Sequence, residues 1–286
     1  MVYEELEESE DRGTAASLFL FRYGSTEANY YAYTDVNRPV IRDGITYHPT
    51  TIGREKIEAS GGLDNKTLDI DITSKAEIVR FYQQKQPSQV VALTIYQGHV
   101  DDPDSEFVTV WMGRVIAIDQ RDPYAKIQAE PVSTSMRRTG LRRHYQYGCP
   151  WALYSAECGA SQVAATVSAT AAGVGRNLIE FADGWQGAKP KSKFVGGYLQ
   201  WTDEDNGMTH VRTIFQVRVG EGLAGADVIV VNGTTSGLSF GGGVTLFLGC
   251  NHQRDDCTDL HENIVNYGGQ LWIPHENPVG YVNRYY

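Results

Sequence analysis

The chain has only four cysteines, and they occur as two pairs that lie far apart in the sequence. Eight residues separate Cys149 from Cys158, six separate Cys250 from Cys257, and 91 residues lie between the pairs. Closing so long a loop is entropically costly, so a covalent or metal link between the pairs would contribute to stability. The spacing predicts that residues 161–243 form an inserted domain whose ends are fastened together by whatever the cysteines hold.

The start of the chain bears on the redox state of these thiols. It reads MVYEELEE and has no apolar segment of signal-peptide form. We therefore expect the protein to be made in a cytoplasm, where thiols stay reduced and metal sites are commoner than disulfides. No apolar run approaches the roughly 18 residues that a membrane helix requires, so stable membrane insertion is not expected.

Spacing alone leaves four states of the cysteines open. Structural zinc usually uses two C-x₂₋₄-C pairs, and neither pair here has that spacing. Iron–sulfur clusters accept wider spacings, while two disulfides or four buried free thiols would also be compatible with the sequence. His252 and His261 lie near the second pair and are candidates for a mixed site, although four cysteines already complete one.

The charge of the chain limits its partners. Thirty-five acidic residues against 25 Lys and Arg give a net charge of −10. This balance disfavours direct, sequence-specific binding to nucleic acid, because such proteins present a basic face. One basic cluster precedes the first cysteine, and we interpret it as the solvated face of a short helix. Its members are Arg137, Arg138, Arg142, Arg143 and His144.

The N-terminal half has the pattern of short β-strands. Leu68-Asp69-Ile70-Asp71-Ile72 alternates between apolar and acidic residues, as in a half-buried strand. Residues 40–47 read as a hairpin in which Asp43-Gly44 forms the tight turn. One helix is predicted from about Lys75 to Gln86. Residues 1–135 are therefore predicted to form an antiparallel β domain.

The second half is predicted to be β-rich as well. Residues 136–160 are expected to contain a linker helix, over about 134–145, and the first cysteine pair. The inserted domain, 161–243, has five or six short strands separated by glycines, which is typical of a small barrel or sandwich. A strand is predicted within 159–170, and residues 244–286 carry the second cysteine pair and a C-terminal tail. The predicted fold class is mainly β.

Patterns typical of catalysis are missing from the sequence. The seven histidines form no recognisable triad and no H-E-x-x-H motif. The acidic pair Asp255-Asp256 is interpreted as a solvated turn rather than as a general acid and base. We therefore predict that the protein is not an enzyme.

The residues around the cysteines are more specific than their spacing. GLRRHYQYGCPWALYSAECG at 140–159 and GCNHQRDDC at 249–257 resemble the BR0599-type family of tail-tip or baseplate hub proteins. That family occurs in phages and gene transfer agents and is similar to the tail tip protein L of phage lambda. The resemblance continues through Gly268-Gly269 to Asn277-Pro278. Gln270-Leu271-Trp272 stands where Phe-Pro is common in the family, a departure that lies away from the cysteines.

The resemblance implies a structural subunit of a phage tail tip, located in the virion and assembled in the host cytoplasm. It implies a homotrimeric ring that joins the distal tail protein at the tube end to the central tip or tail fibre hub protein. The lambda relative binds a [4Fe–4S] cluster through C-terminal cysteines. The ligands that this implies here are Cys149, Cys158, Cys250 and Cys257.

Two further functions fit parts of the sequence. A zinc-stapled, β-rich binding module of a phage or prophage would use the same cysteines and bind a receptor or carbohydrate through Trp201 or Trp272. A cell-wall hydrolase of the tail tip would need Cys149 as a nucleophile beside a histidine. The arrangement of the cysteines as two pairs disfavours the hydrolase.

Overall fold

A computed structural model describes residues 14–24, 29–57, 67–84, 87–137, 145–204 and 207–273 of the chain. The chain divides into two units, Met1–Thr139 and Gly140–Tyr286. Each unit is built on one β-sheet, and the helices are few and short among the described residues. The prediction of a mainly β protein is confirmed. No helix in these described ranges is long and apolar enough to cross a membrane.

In the first unit, the described residues form a sheet of nine strands in the order β3-β4-β2-β1-β7-β8-β9-β6-β5. Neighbouring strands are antiparallel except for the parallel pair β2–β4. The strands are β1 (Ala15–Tyr23), β2 (Tyr30–Thr34), β3 (Val40–Arg42), β4 (Ile45–Pro49), β5 (Ile52–Arg54), β6 (Leu68–Thr73), β7 (Val91–His99), β8 (Phe107–Arg121) and β9 (Tyr124–Pro131).

Local sequence accounts for several of these elements. In β6 the aliphatic residues Leu68, Ile70 and Ile72 are buried and the residues between them are not, as the alternation predicts. Asp43 and Gly44, which connect β3 to β4, both have positive φ, the conformation that a two-residue hairpin turn of this kind requires.

The α-helix α1 (Glu77–Gln84) lies within the predicted helix of residues 75–86. It buries Ile78, Val79 and Phe81. The Ile78 backbone N–H donates to the Tyr33 hydroxyl at 3.2 Å, so strand β2 satisfies one of the N–H groups that the first helical turn leaves unpaired.

In the second unit, the described residues form a seven-stranded antiparallel sheet in the order β10-β16-β13-β14-β15-β12-β11. A bulge between Ile214 and Gln216 changes the register of β14 against β15. The strands are β10 (Thr166–Thr170), β11 (Gly173–Val174), β12 (Leu178–Phe181), β13 (Tyr198–Thr202), β14 (Thr209–Arg218), β15 (Asp227–Val231) and β16 (Gly243–Phe247).

The core of the second unit is aromatic and aliphatic. Its most deeply buried members are Ile179, Phe181, Phe194, Leu199, Ile229 and Leu246. Trp185 packs against Phe181 and Phe194, and its ring N–H donates to the buried Asp227 carboxylate at 2.8 Å. Lys191 pairs with the same carboxylate at 2.7 Å. These polar groups at the edge of the core therefore have partners, as burial requires.

Several expectations about the second half of the chain differ from the structure or fall outside it. The strand predicted within 159–170 begins only at Thr166, because the residues before it form turns. In place of the start of the linker helix there is a 3₁₀ helix, Val132–Arg137, and residues 138–144 lie outside the described ranges. The predicted division after residue 243 falls inside β16, which pairs with β10 and β13. The end of the predicted C-terminal tail, residues 274–286, also lies outside the described ranges.

A matched pair of substitutions tests the core of the second unit. Phe181 is fully buried, whereas Phe215 on β14 is 73% exposed. Phe181→Ala should lower the free energy of unfolding by about 3–5 kcal/mol, because it removes buried apolar area and leaves a cavity. Phe215→Ala should change it by less than about 0.5 kcal/mol. Urea denaturation followed by circular dichroism measures both, and equal losses would contradict this assignment of the core.

Candidate metal centre

The two cysteine pairs lie in segments between strands, and only Cys257 is in a helical element, the short π-helix Asp256–Leu260. The first cysteine loop, residues 145–165, leads into β10, and the second cysteine loop, residues 248–273, follows β16. Thr166 of β10 is paired with Phe247 of β16, and the next backbone N–H along, that of Leu248, donates to the Ala165 carbonyl at 3.2 Å. This pairing brings together two cysteine pairs that 91 residues separate in the sequence.

All four cysteines line one small cavity between the two cysteine loops. Cys257 is buried, the remaining three are half-buried, and all four are free thiols. Trp151, Leu153 and Ala160 of the first loop supply apolar parts of the wall, and polar side chains of the second loop complete it. The cavity therefore has four soft sulfur donors among its lining residues in a largely apolar setting.

Backbone hydrogen bonds join the two loops beside the cavity. The Cys149 N–H donates to the His252 carbonyl at 2.7 Å. The Gln270 N–H donates to the Gln146 carbonyl at 2.9 Å. These bonds satisfy backbone groups that no strand or helix pairs, and they hold the first cysteine against the second loop.

Asn263 makes a second connection between the loops, at Cys158 of the first pair. Its side-chain amide Nδ2 donates to the Cys158 carbonyl at 2.6 Å and lies 3.9 Å from Cys158 Sγ. The Cys257 thiol donates to the Asn263 carbonyl at 3.2 Å. One residue thus contacts a cysteine of each pair.

Tyr154 anchors the first loop to the sheet. Its hydroxyl donates to the Leu248 carbonyl at 2.7 Å, and its ring packs edge-on against Tyr198, Phe247 and His261. Burial raises the pKa of Tyr154 well above its usual value, so the hydroxyl stays a donor at any physiological pH. The turn that carries this ring has positive φ at Tyr154 itself.

The thiols influence one another electrostatically. Burial raises the pKa of Cys250, an effect that the His252 backbone N–H opposes and the Asp256 carboxylate and neighbouring thiols reinforce. Burial also raises the pKa of Cys257, and the neighbouring thiols add to the shift. The negative charge of several thiolates in this cavity would therefore need compensation, which a bound cation supplies.

Both histidines near the second pair are held by carbonyl groups. His252 Nδ1 is 3.1 Å from the Cys149 carbonyl, and His261 Nε2 is 2.8 Å from the Gly249 carbonyl. Because a carbonyl only accepts, each of these ring nitrogens carries the proton. Neither of these two nitrogens is available as a metal ligand in this arrangement.

Asp256 differs from the sequence-based interpretation. Asp255 is exposed, as expected for a solvated turn, but Asp256 is buried. Its carboxylate accepts from the Asn251 N–H at 3.0 Å and forms an ion pair with Lys193. The ion pair ties the second cysteine loop to the 3₁₀ helix Lys191–Phe194 and raises the pKa of Lys193. No feature of the local sequence indicated that Lys193 is the partner.

The tryptophans of the predicted binding module differ from each other in exposure. Trp201 is buried and stacks on His210, so it is not an exposed binding platform. Trp272 is 94% exposed.

Within the described residues, no group of three or more His, Cys, Asp or Glu side chains has the arrangement of a site for a metal ion. The four predicted ligands share one cavity, and metal binding by them stays a prediction.

Comparisons with known proteins identify the family of the chain. Residues 4–161 match the family model described as baseplate hub protein, N-terminal attachment domain, and residues 192–277 match phage conserved hypothetical protein BR0599. A sequence comparison with curated proteins finds no match.

The fold is similar to that of a chain in the solved virion of a native gene transfer agent particle. The TM-score is 0.74 at 16% identity, over 96% of this chain and 92% of that chain. At this identity the similarity concerns the fold alone. The attachment-domain model covers more than half of the sequence. The chain therefore belongs to the baseplate hub protein family, whose place is in the phage virion.

Proposed function

We propose that the protein is a structural subunit of a phage tail-tip or baseplate hub in which Cys149, Cys158, Cys250 and Cys257 hold a [4Fe–4S] cluster. The observation that carries the proposal is the single cavity that these four thiols line. The cluster would join the two cysteine loops and so close the base of the second sheet. It would act there as a clip between two segments that hydrogen bonds alone would hold less firmly.

The donor set suits such a group. Four thiols are the ligand set of a [4Fe–4S] cluster, and N–H groups near the sulfurs stabilise them when they carry charge. The His252 N–H lies 3.3 Å from Cys250 Sγ, and Trp151 and Leu153 keep part of the cavity apolar. When bound, the cluster would supply iron that takes up the negative charge of the thiolates.

Zinc is the second candidate for the same four thiols. The resulting protein would be a zinc-stapled β-rich module, with the exposed Trp272 as its binding residue. The spacing of neither cysteine pair is that of the usual zinc knuckle, which favours the cluster. A hydrolase is disfavoured, because the His252 ring donates to the Cys149 carbonyl.

The family membership supports partners on both sides of the hub. We propose a homotrimeric ring that contacts the distal tail protein through the N-terminal attachment domain and the central tip or tail fibre hub protein on the opposite side. Assembly would take place in the host cytoplasm. The fold similarity to a chain of a gene transfer agent virion is consistent with this position.

The metal is tested by anaerobic purification of the full chain. The cluster predicts a brown protein with a broad absorption band at roughly 400 nm and about four iron and four sulfide per chain. Replacing Cys149 and Cys250 by Ser should remove the band and the iron. Phe215→Ala is the control and should retain iron, because this exposed residue of β14 is not part of the cavity wall.

Colourless protein with one zinc per chain would overturn the cluster and support the zinc module. Protein that binds neither metal under reducing, oxygen-free conditions, with all four thiols open to alkylation, would overturn both.

The position in the virion is tested on particles produced by the organism that encodes the chain. An antibody against the second unit should label one end of the tail in electron micrographs. Quantitative mass spectrometry against a tail-tube protein of known copy number should give three copies per particle. Labelling of the head or along the tube, or a copy number other than three, would contradict the proposed ring.

A further inference from the structure

Three polar groups of His252 contact a cysteine: its backbone N–H, its carbonyl and its ring Nδ1. Its backbone N–H donates to Cys250 Sγ at 3.3 Å, its carbonyl accepts from the Cys149 N–H at 2.7 Å, and its Nδ1 donates to the Cys149 carbonyl at 3.1 Å. Its φ of 60° is in the left-handed region, which a non-glycine residue adopts at some cost. The residue therefore connects one cysteine of the first pair to one of the second.

Asn263 connects the remaining two cysteines in a similar way. Its backbone N–H donates to the Cys257 carbonyl at 2.7 Å, its carbonyl accepts from the Cys257 thiol, and its side chain donates to the Cys158 carbonyl. Asn266 donates to Asn263 Oδ1 at 2.7 Å, which leaves Nδ2 directed at Cys158. Among the described residues, His252 and Asn263 of the second loop thus contact all four cysteines between them.

We propose that His252 and Asn263 are the positioning residues of the thiol site: each sets the distance between one cysteine of the first loop and one of the second. The inference rests on the proposed function, since it assigns these residues a role toward the group that the thiols hold. The Gln146–Gln270 and Tyr154–Leu248 hydrogen bonds also join the loops, but the His252 and Asn263 bridges are the ones that contact the cysteines themselves.

The two bridges also place N–H groups near sulfur atoms, where they stabilise negative charge on the thiolates. N–H groups beside sulfur favour its charged form, and hydrogen bonds to ligand sulfurs tune the potential of a cluster. Asn263 Nδ2, at 3.9 Å from Cys158 Sγ, is the side-chain donor in this position. Exchanging this amide for a carboxylate places negative charge beside the sulfur, which should weaken metal retention and make the midpoint potential more negative.

Asn263→Asp is the decisive variant, because it replaces only the NH₂ group and keeps the oxygen that accepts from Asn266. Asn251→Asp is the matched control: it makes the same change in the same loop, next to Cys250, where the side-chain oxygen accepts from the Gln253 N–H. In anaerobically loaded protein, Asn263→Asp should lose iron to a chelator about tenfold faster or more, and Asn251→Asp should not. The midpoint potential of Asn263→Asp should also be more negative than that of Asn251→Asp.

The second variant removes the ring of the His252 bridge. His252→Gly keeps the backbone conformation accessible while deleting the bond from Nδ1. Hydrogen exchange in metal-free protein gives a readout that needs no cluster. The Cys149 amide should exchange faster in His252→Gly, and the Cys158 and Gly159 amides should exchange faster in Asn263→Asp, with urea denaturation confirming that the sheet stays folded.

The outcomes separate this inference from the proposed function. If wild-type protein takes up no metal, the cluster proposal is wrong. Faster hydrogen exchange at these amides in both variants would still support the two bridges. Iron retention and potential equal in Asn263→Asp and Asn251→Asp, with wild type loaded, would overturn the positioning role and leave the cluster standing. Unchanged exchange at Cys149 and Cys158 in the two variants would overturn it as well.

Discussion

The pairing of β10 with β16 is the constraint on which the rest of the second unit depends. These strands lie at opposite ends of a long stretch of sequence, and Thr166 and Phe247 are partners in the ladder. Both cysteine loops adjoin these two residues. The β10–β16 ladder therefore brings the two cysteine pairs together. Non-local pairing of this kind closes a long loop of chain, which is entropically costly. A link between the loops would offset part of that cost.

The loops themselves contain no strands in their described residues, and the second has only two short helical elements, Asp256–Leu260 and Ile264–Asn266. The loops are held by backbone and side-chain hydrogen bonds, by the ion pair between Lys193 and Asp256, and by the Tyr154 ring against the sheet. Each of these contacts satisfies a group that burial would otherwise penalise. The thiols differ, because burial raises the pKa of Cys250 and Cys257 and so disfavours their charged forms. A bound cationic group would reverse that preference, since it stabilises thiolates and is stabilised by them.

The parts of the fold that follow from local sequence were predictable. Alternation in β6 and the Asp43-Gly44 turn depend on period and on backbone conformation, and both appear in the structure. Trp201 and Asp256 were not predictable, because their burial depends on residues that lie elsewhere in the sequence, such as His210 and Lys193. The same holds for the site. The cysteines could be identified as candidate ligands by their residue type. The roles of His252 and Asn263 could not, because they depend on which carbonyls and sulfurs lie beside them in the folded loops.

The family comparisons divide the chain at a point that matters for the site. The attachment-domain model ends at residue 161 and so includes Cys149 and Cys158, whereas the BR0599 match begins at residue 192 and includes Cys250 and Cys257. Neither matched region contains all four thiols, and β10 lies in the interval between them. The cavity therefore takes two cysteines from each matched region, and the β10–β16 ladder lies beside it. A group bound by all four thiols would therefore link the two matched regions directly, which neither region could do with its own two cysteines.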